Sequence, residues 1–161
     1  MSDLGFLTTQ PSKLNYILFK TKDPAVNPHH KSYIRQNNIM TRKELQDRTR
    51  KFHVDVIKIC GHFPKNAAGY ETAKQLIRSA GSVGANYRAS VRAKSDNDFI
   101  YKIEVVLEEA DESHYWLQVV NEAGLVNNLE IDRLINEANE LTAIFAATDK
   151  TNKFKRKDQK K

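Results

Sequence analysis

A chain of 161 residues, 40% of them hydrophobic, has enough apolar material for one compact domain with a sizeable core. Its net charge of +6 and pI of about 9.4 suit an anionic partner such as nucleic acid. The single cysteine, Cys60, excludes an intramolecular disulfide framework, and no apolar run approaches the ~20 residues of a membrane helix. The opening stretch MSDLGFLTTQPSKLNYILF lacks the basic and continuous apolar regions of a signal peptide. The expectation is a soluble cytoplasmic protein with no membrane partner.

Residues 1–40 read as an irregular N-terminal extension, punctuated by Pro11, Pro24 and Pro28. Its apolar run Tyr16–Phe19 can dock on the core or stay disordered, and the residues favour neither. Regular pattern begins at Thr41. Thr41-Arg42-Lys43-Glu44 has the form of a capping box. Leu45, Phe52, Val56 and Ile59 then recur at helical spacing, which predicts a helix over roughly 42–60 that ends at Gly61. Asn66 is a candidate N-cap for a second helix over roughly 67–94. Ser79, Ala80, Gly81, Ser82, Gly84 and Ala85 make its middle unusually small. Two interior glycines weaken a helix unless another backbone comes close. One helix, bent near Gly84, is preferred to two short ones.

Ser95-Asp96-Asn97-Asp98 offers a cap for a third helix over roughly 97–123. Its apolar stripe is Phe99, Ile103, Val106, Ala110, Leu117 and Val120, and Gly124 closes it. A fourth helix over roughly 129–148 follows, with Ile131, Leu134, Ile135, Ala138, Leu141 and Phe145 on its buried face. Residues 149–161 read as a basic, solvated C-terminal tail. Four amphipathic helices with short breaks predict an all-α, antiparallel up-down-up-down four-helix bundle over 41–148.

The charge is partitioned. The segment from Asp96 to Glu122 has eight acidic residues and one basic residue, and the tail from Asp149 has seven basic and two acidic. Arg88 and Arg92 share a helix face, and Glu104, Glu108 and Glu112 also step by four. A hairpin folded at Ser95 would bring Arg78, Arg88 and Arg92 against those three glutamates. The expectation is a ladder of structural ion pairs; the competing reading turns some arginines outward to bind phosphate.

The stretch from Gln75 to Trp116 resembles the four helix bundle protein family, also called 23S rRNA-intervening sequence proteins. The resemblance is carried by Gln75-Leu76, Arg78-Ser79-Ala80, the run Ser82 to Ala89, Arg92-Ala93, Asp98-Phe99, the run Val106 to Ser113, and Trp116-Leu117. Phe63-Pro64 and Ala123-Gly124-Leu125 also fit, so the match covers roughly 42–145. It implies an antiparallel four-helix bundle and a ring-shaped homopentamer. Some members lie inside intervening sequences of ribosomal RNA genes. A related group, the accessory variability proteins of diversity-generating retroelements, works with a reverse transcriptase and nucleic acid.

Other constellations are weaker. Asp111-Glu112-Ser113-His114 comes nearest to the Glu-x-x-His motif of a di-metal bundle, but its two-fold repetition is missing. No metal or cofactor is expected. Tyr87, Tyr101, Tyr115 and Trp116 can stack on bases, but packing is the commoner use of such residues. Cys60 reads as a buried thiol. The basic residues outside the ladder include Arg42, Lys43, Arg48, Arg50 and Lys51 on the first helix and Lys153, Lys155, Arg156 and Lys157 in the tail. They are candidates for phosphate contact, driven by charge and steeply salt-dependent. The expected protein is non-enzymatic and homo-oligomeric, with RNA, DNA or a nucleic-acid-processing protein as partner. A purely structural or protein-interaction module is the alternative, and a metal-dependent enzyme a distant third.

Overall fold

The computed structural model describes residues 40–127 and 129–158, without the side chains of 155, 157 and 158. The expectations for the N-terminal extension fall on residues outside this range, except for Met40. Four helices follow in order: α1 (Arg42–Cys60), α2 (Ala67–Ser90), α3 (Asp96–Glu122) and α4 (Glu130–Asp158). Each packs on its two neighbours in a closed square, α1 on α2, α2 on α3, α3 on α4 and α4 on α1. This is an all-α, up-down-up-down four-helix bundle.

Local chemistry sets the helix starts. Thr41 accepts from the Glu44 N–H at 3.2 Å, and the Glu44 carboxylate accepts the Thr41 N–H at 2.6 Å, which completes the capping box. Asn66 caps α2 by accepting from the Gly69 N–H at 2.9 Å. Ser95 caps α3 through the Asp98 N–H at 3.2 Å, with Asp96 and Asp98 in the first turn where the macrodipole favours anions. Gly124 has φ +60°, the left-handed position that ends α3 and favours glycine. Gly61 also follows the end of its helix, but in right-handed geometry, so α1 stops without a left-handed cap.

The core is contributed by all four helices. Phe52, Leu76, Tyr87, Ile103, Leu117, Leu141 and Phe145 are each at most 1% exposed. Tyr87 meets Phe145 with ring centroids 5.3 Å apart. Ile100 is buried where Phe99 was expected, and Phe99 is half-buried. Across the α2–α3 seam the buried hydroxyls of Ser79 and Ser113 lie 2.9 Å apart. Their small size lets the two backbones come close.

The two mid-helix glycines of α2, Gly81 and Gly84, face α1. A Cβ on Gly84 would sit 3.6 Å from the Thr49 carbonyl oxygen, and one on Gly81 would sit 3.0 Å from the His53 ring. The tightest site is Gly69, where a Cβ would overlap the Pro64 carbonyl of the preceding loop. α2 runs unbroken through Gly81 and Gly84.

Two ends differ from the periodicity. α2 stops at Ser90 rather than near 94. Arg92 and Ala93 donate backwards to Ala89 and Ser90 in tight turns, and the Asp98 carboxylate takes the Lys94 N–H at 3.0 Å. Those residues therefore belong to the connection. α4 continues to Asp158, through most of the expected tail. Lys153 bridges Glu104 of α3 at 2.6 Å and Asp149 at 2.9 Å, while Thr148, Thr151 and Asn152 each bond the carbonyl four residues back.

The glycine contacts give graded expectations. Gly84→Ala is expected to leave stability unchanged or raise it by up to about 1 kcal/mol, since helix propensity improves and the new methyl meets ordinary contact. Gly84→Leu is expected to cost about 1–3 kcal/mol or more by overpacking the α1–α2 seam. Gly69→Ala is expected to destabilise despite adding only a methyl. Urea unfolding monitored by circular dichroism ranks the three; an unchanged midpoint for Gly84→Leu would refute the close approach.

Candidate nucleic-acid interface

Antiparallel neighbours joined by short loops place the start of α1, the end of α2, the start of α3 and the end of α4 at one end of the bundle. Basic residues gather there from stretches far apart in sequence. Arg42 and Lys43 come from α1, Arg88 from α2, Arg92 and Lys94 from the α2–α3 connection, and Arg156 from the last turn of α4. All six side chains are exposed. Among the described residues, Arg88, Arg92, Lys94 and Arg156 have no ion pair.

Arg88 and Arg92 were expected in a ladder with α3. The α2–α3 seam holds a single rung instead: Arg78 bridges Glu112 at 2.9 Å. Glu104 is taken by Lys153 of α4, and Glu108 is exposed without an ion pair among the described residues. The reason is rotational. Arg78 points toward α3, whereas Arg88 and Arg92 lie on the solvent side of their turns.

The interhelical ladder lies between α1 and α4, the sparsest of the four seams. Arg48 forms a bidentate pair with Glu137, Nε at 2.7 Å and Nη2 at 2.8 Å, and reaches Glu140 at 2.5 Å. Only 22% of the Arg48 side chain is exposed, and in this fold it clamps α1 to α4. Asp55, 12% exposed, accepts from Arg133 of α4 at 2.8 Å and from Lys51 at 2.5 Å. Burial would raise the Asp55 carboxyl, but the hydrogen bonds from Lys51 and Arg133 outweigh it and hold the group below the usual aspartate range. Arg48, Lys51, Phe52, Asp55, Arg133 and Glu137 line an open cleft along this seam.

Other basic candidates are also engaged. Lys43 and Arg50 both bridge Asp47, at 2.5 and 3.1 Å. Lys153 is held by Glu104 and Asp149, which push its ammonium up to about 12. Exposed pairs of this kind exchange readily, so Lys43 and Arg50 remain usable cations. Lys155 and Lys157 continue α4, and their side chains lie outside the described residues.

The remaining candidates pack or stay inert. The Cys60 thiol is pushed up to about 12 by burial, which leaves it protonated and unreactive at neutral pH. Tyr87 is buried, and Trp116 donates to Glu112 at 3.2 Å. Tyr101 and Tyr115 are instead exposed. Asn86 donates to the Ser82 carbonyl at 3.0 Å. His114 is half-buried, and among the described residues no group of three His, Cys, Asp or Glu side chains is placed to hold a metal ion. No helix is long and apolar enough to cross a membrane, again among the described residues. Glu109 is the strained member of the α2–α3 seam. Its Oε2 is buried without a hydrogen-bond partner, and burial, followed by repulsion from Glu112, raises its carboxyl.

Two consequences are measurable. Arg48→Met leaves Glu137 without its partner and is expected to lower the unfolding free energy by about 1–3 kcal/mol. The Asp55 contribution is present above the ordinary aspartate pKa and is lost as pH falls through its lowered folded value, so Asp55→Asn should blunt acid unfolding as well as weaken the protein. Glu109 has the opposite sign. Its raised folded value means that stability declines as pH climbs past the ordinary carboxyl range, so Glu109→Gln is expected to raise the melting temperature at pH 7. Thermal melts from about pH 2 to pH 8 test both, and a lower melting temperature for Glu109→Gln at pH 7 would contradict the account.

Comparison with known proteins agrees with this architecture. The chain is similar to the crystal structure of a protein of unknown function from the S23 ribosomal protein family of Bacteroides thetaiotaomicron. The TM-score is 0.61 and the identity 26%, over 68% of this chain and 97% of that one. No curated protein matches the chain. The family model described as 23S rRNA-intervening sequence protein matches residues 42–147, which span all of α1, α2 and α3 and most of α4. The chain therefore belongs to the 23S rRNA-intervening sequence protein family.

Proposed function

We propose that this protein is a non-enzymatic, homo-oligomeric helical scaffold that holds nucleic acid by its phosphate backbone at the basic end of the bundle. The observation that carries the reading is the release of Arg88 and Arg92 from the α2–α3 seam. They project into solvent beside Lys94, at the end where α4 brings Arg156. Cations without carboxylate partners can give their full charge to phosphate, whereas Arg48 and Lys51 are spent within the fold.

The contact surface is helical ends and a short turn. It offers no recognition helix for a groove and no platform of paired aromatic side chains, so binding would read charge rather than sequence. The pentamer implied by the family would repeat the basic end around a ring and add avidity. Cytoplasmic location is part of the same proposal.

A structural or protein-interaction role without nucleic acid is the second reading. It is favoured by the engagement of Lys43, Arg48, Lys51 and Lys153 with carboxylates of the same chain.

Fluorescence anisotropy with labelled RNA and DNA of mixed sequence, at two salt concentrations, separates the two. The expected result is binding at low salt that weakens steeply as salt rises. Arg92→Gln combined with Lys94→Gln is expected to weaken binding alike on all sequences and to reduce the salt slope by about 1 per lost phosphate contact. Both positions are exposed, so the melting temperature should hold. Absence of binding at low salt would remove the first reading and leave the second.

A further inference from the structure

α2 has one stripe that neither the core nor α3 uses. Tyr70, Lys74, Gly81, Ala85 and Arg88 recur at spacings of three, four and seven, so they share a side of the helix. Gly81 places that side along the seam with α1, where a Cβ would meet the His53 ring. On α1, Arg50 and Ile57 lie one turn to either side of His53, with Val54 between them. The apolar side chains of this groove are open to water: Val54 is 43% exposed, Ile57 48% and Tyr70 61%. Cations are interleaved with them. Arg50 and Arg88 stand toward the basic end and Lys74 toward the other. Lys74 and Arg88 are separated by about 21 Å along the helix axis. Among the described residues neither has an ion pair. Carboxylates are turned away or engaged. Glu71 lies two turns before Arg78, on the stripe that meets α3, and Asp47 is bridged by Lys43 and Arg50.

We infer that the α1–α2 groove carries a single-stranded nucleic acid onward from the basic end. Its phosphates lie on Arg88, Arg50 and Lys74, and its unstacked bases lie against Val54, Ile57 and Tyr70. The inference rests on the nucleic-acid reading above and names the substrate class. The mixed surface selects the ligand. A duplex presents phosphates outward and keeps its bases stacked within, so it would satisfy the cations and leave the apolar side chains wet. A single strand presents phosphates and free base faces together. Tyr70 can stack on any base, since every base has a π-face, which agrees with a contact that reads no sequence. Gly81 and Ala85 add no bulk between Arg88 and Lys74, so a strand can lie flat along the helix. Arg50 is held only by an exposed bridge to Asp47 at 3.1 Å and can turn to a phosphate at little cost. Charge sets the route as well. Residues 41–95, which hold α1 and α2, carry twelve basic and four acidic residues. Residues 96–127, which hold α3, carry one basic and eight acidic. A strand leaving the basic end is therefore drawn along α1 and α2 and repelled from α3.

Fluorescence anisotropy on the full chain tests this, with one labelled RNA of mixed sequence used alone and annealed to its complement. The single strand is expected to bind about 10-fold or more tightly than the duplex at low salt. Ile57→Ser with Tyr70→Ser is expected to weaken single-strand binding by about 5-fold or more and to leave duplex binding unchanged. Lys74→Gln is expected to reduce the salt slope for the single strand by about 0.7. These positions are exposed, and circular dichroism checks that every variant is folded. Equal affinity for single strand and duplex overturns the inference and leaves the basic-end reading standing. Single-strand binding indifferent to Ile57 and Tyr70 does the same. A changed sedimentation coefficient for the Ile57 and Tyr70 variant, without nucleic acid, assigns the groove to contact between copies and likewise overturns the inference. Absence of binding by either form at low salt overturns both.

Discussion

Three short connections govern this structure. Residues 61–66, 91–95 and 123–129 are each too few to cross the bundle, so every helix must fold back along its predecessor. That constraint alone places the first turn of α1, the last turn of α2, the first turn of α3 and the last turns of α4 together. Charges that are scattered along the sequence thereby become neighbours in space. The caps at Thr41, Asn66 and Ser95 make the constraint sharp by fixing where each helix begins. The apolar stripes then need only to face inward, and the core from Phe52 to Phe145 closes over them.

The seams are held by different means. α1 and α2 approach through glycines, and α2 and α3 through serines. Both use small side chains, which maximise dispersion contact between backbones. α1 and α4 touch least and are closed by Arg48 and Arg133 on carboxylates of the facing helix. A pair that is only partly buried keeps some hydration and loses less on desolvation than a fully buried one. Such a clamp suits an edge seam, where a long guanidinium spans a gap that a methyl group would leave open. Phe52 lines the same cleft, so the pair borders apolar as well as charged surface.

The helices, most of their caps and nearly all of the core could be read from the sequence, because these depend on spacing within one element. The ion pairs could not, apart from Arg78 on Glu112. Which carboxylate an arginine meets depends on the rotation of two helices and on their axial offset, and an error of one residue turns a side chain by about 100°. Arg88 and Glu108 both belong to the right helices, yet they face solvent and not each other. Arg48 reads as a surface cation because its partners lie 89 and 92 residues away, and only the rotation of α1 against α4 decides which cation meets those carboxylates. The length of α4 was hidden for a related reason. Its last turns are so rich in lysine that composition argues for a solvated tail, whereas Lys153 ties them to Glu104 on α3.

The ends of the bundle and its four flanks are physically separate surfaces, and this separation lets assembly and polyanion capture coexist. Contacts along the flanks of neighbouring copies would leave both ends of every copy open. In any closed cyclic ring all copies have the same orientation relative to the axis, so every basic end lies at the same height on the same side. The cations at Arg88, Arg92, Lys94 and Arg156 would then form one continuous belt rather than isolated patches. A belt of this kind gains from multiplicity on a long polyanion even where each phosphate contact is weak. Under the proposed function, assembly would repeat the basic end and so strengthen polyanion capture through avidity.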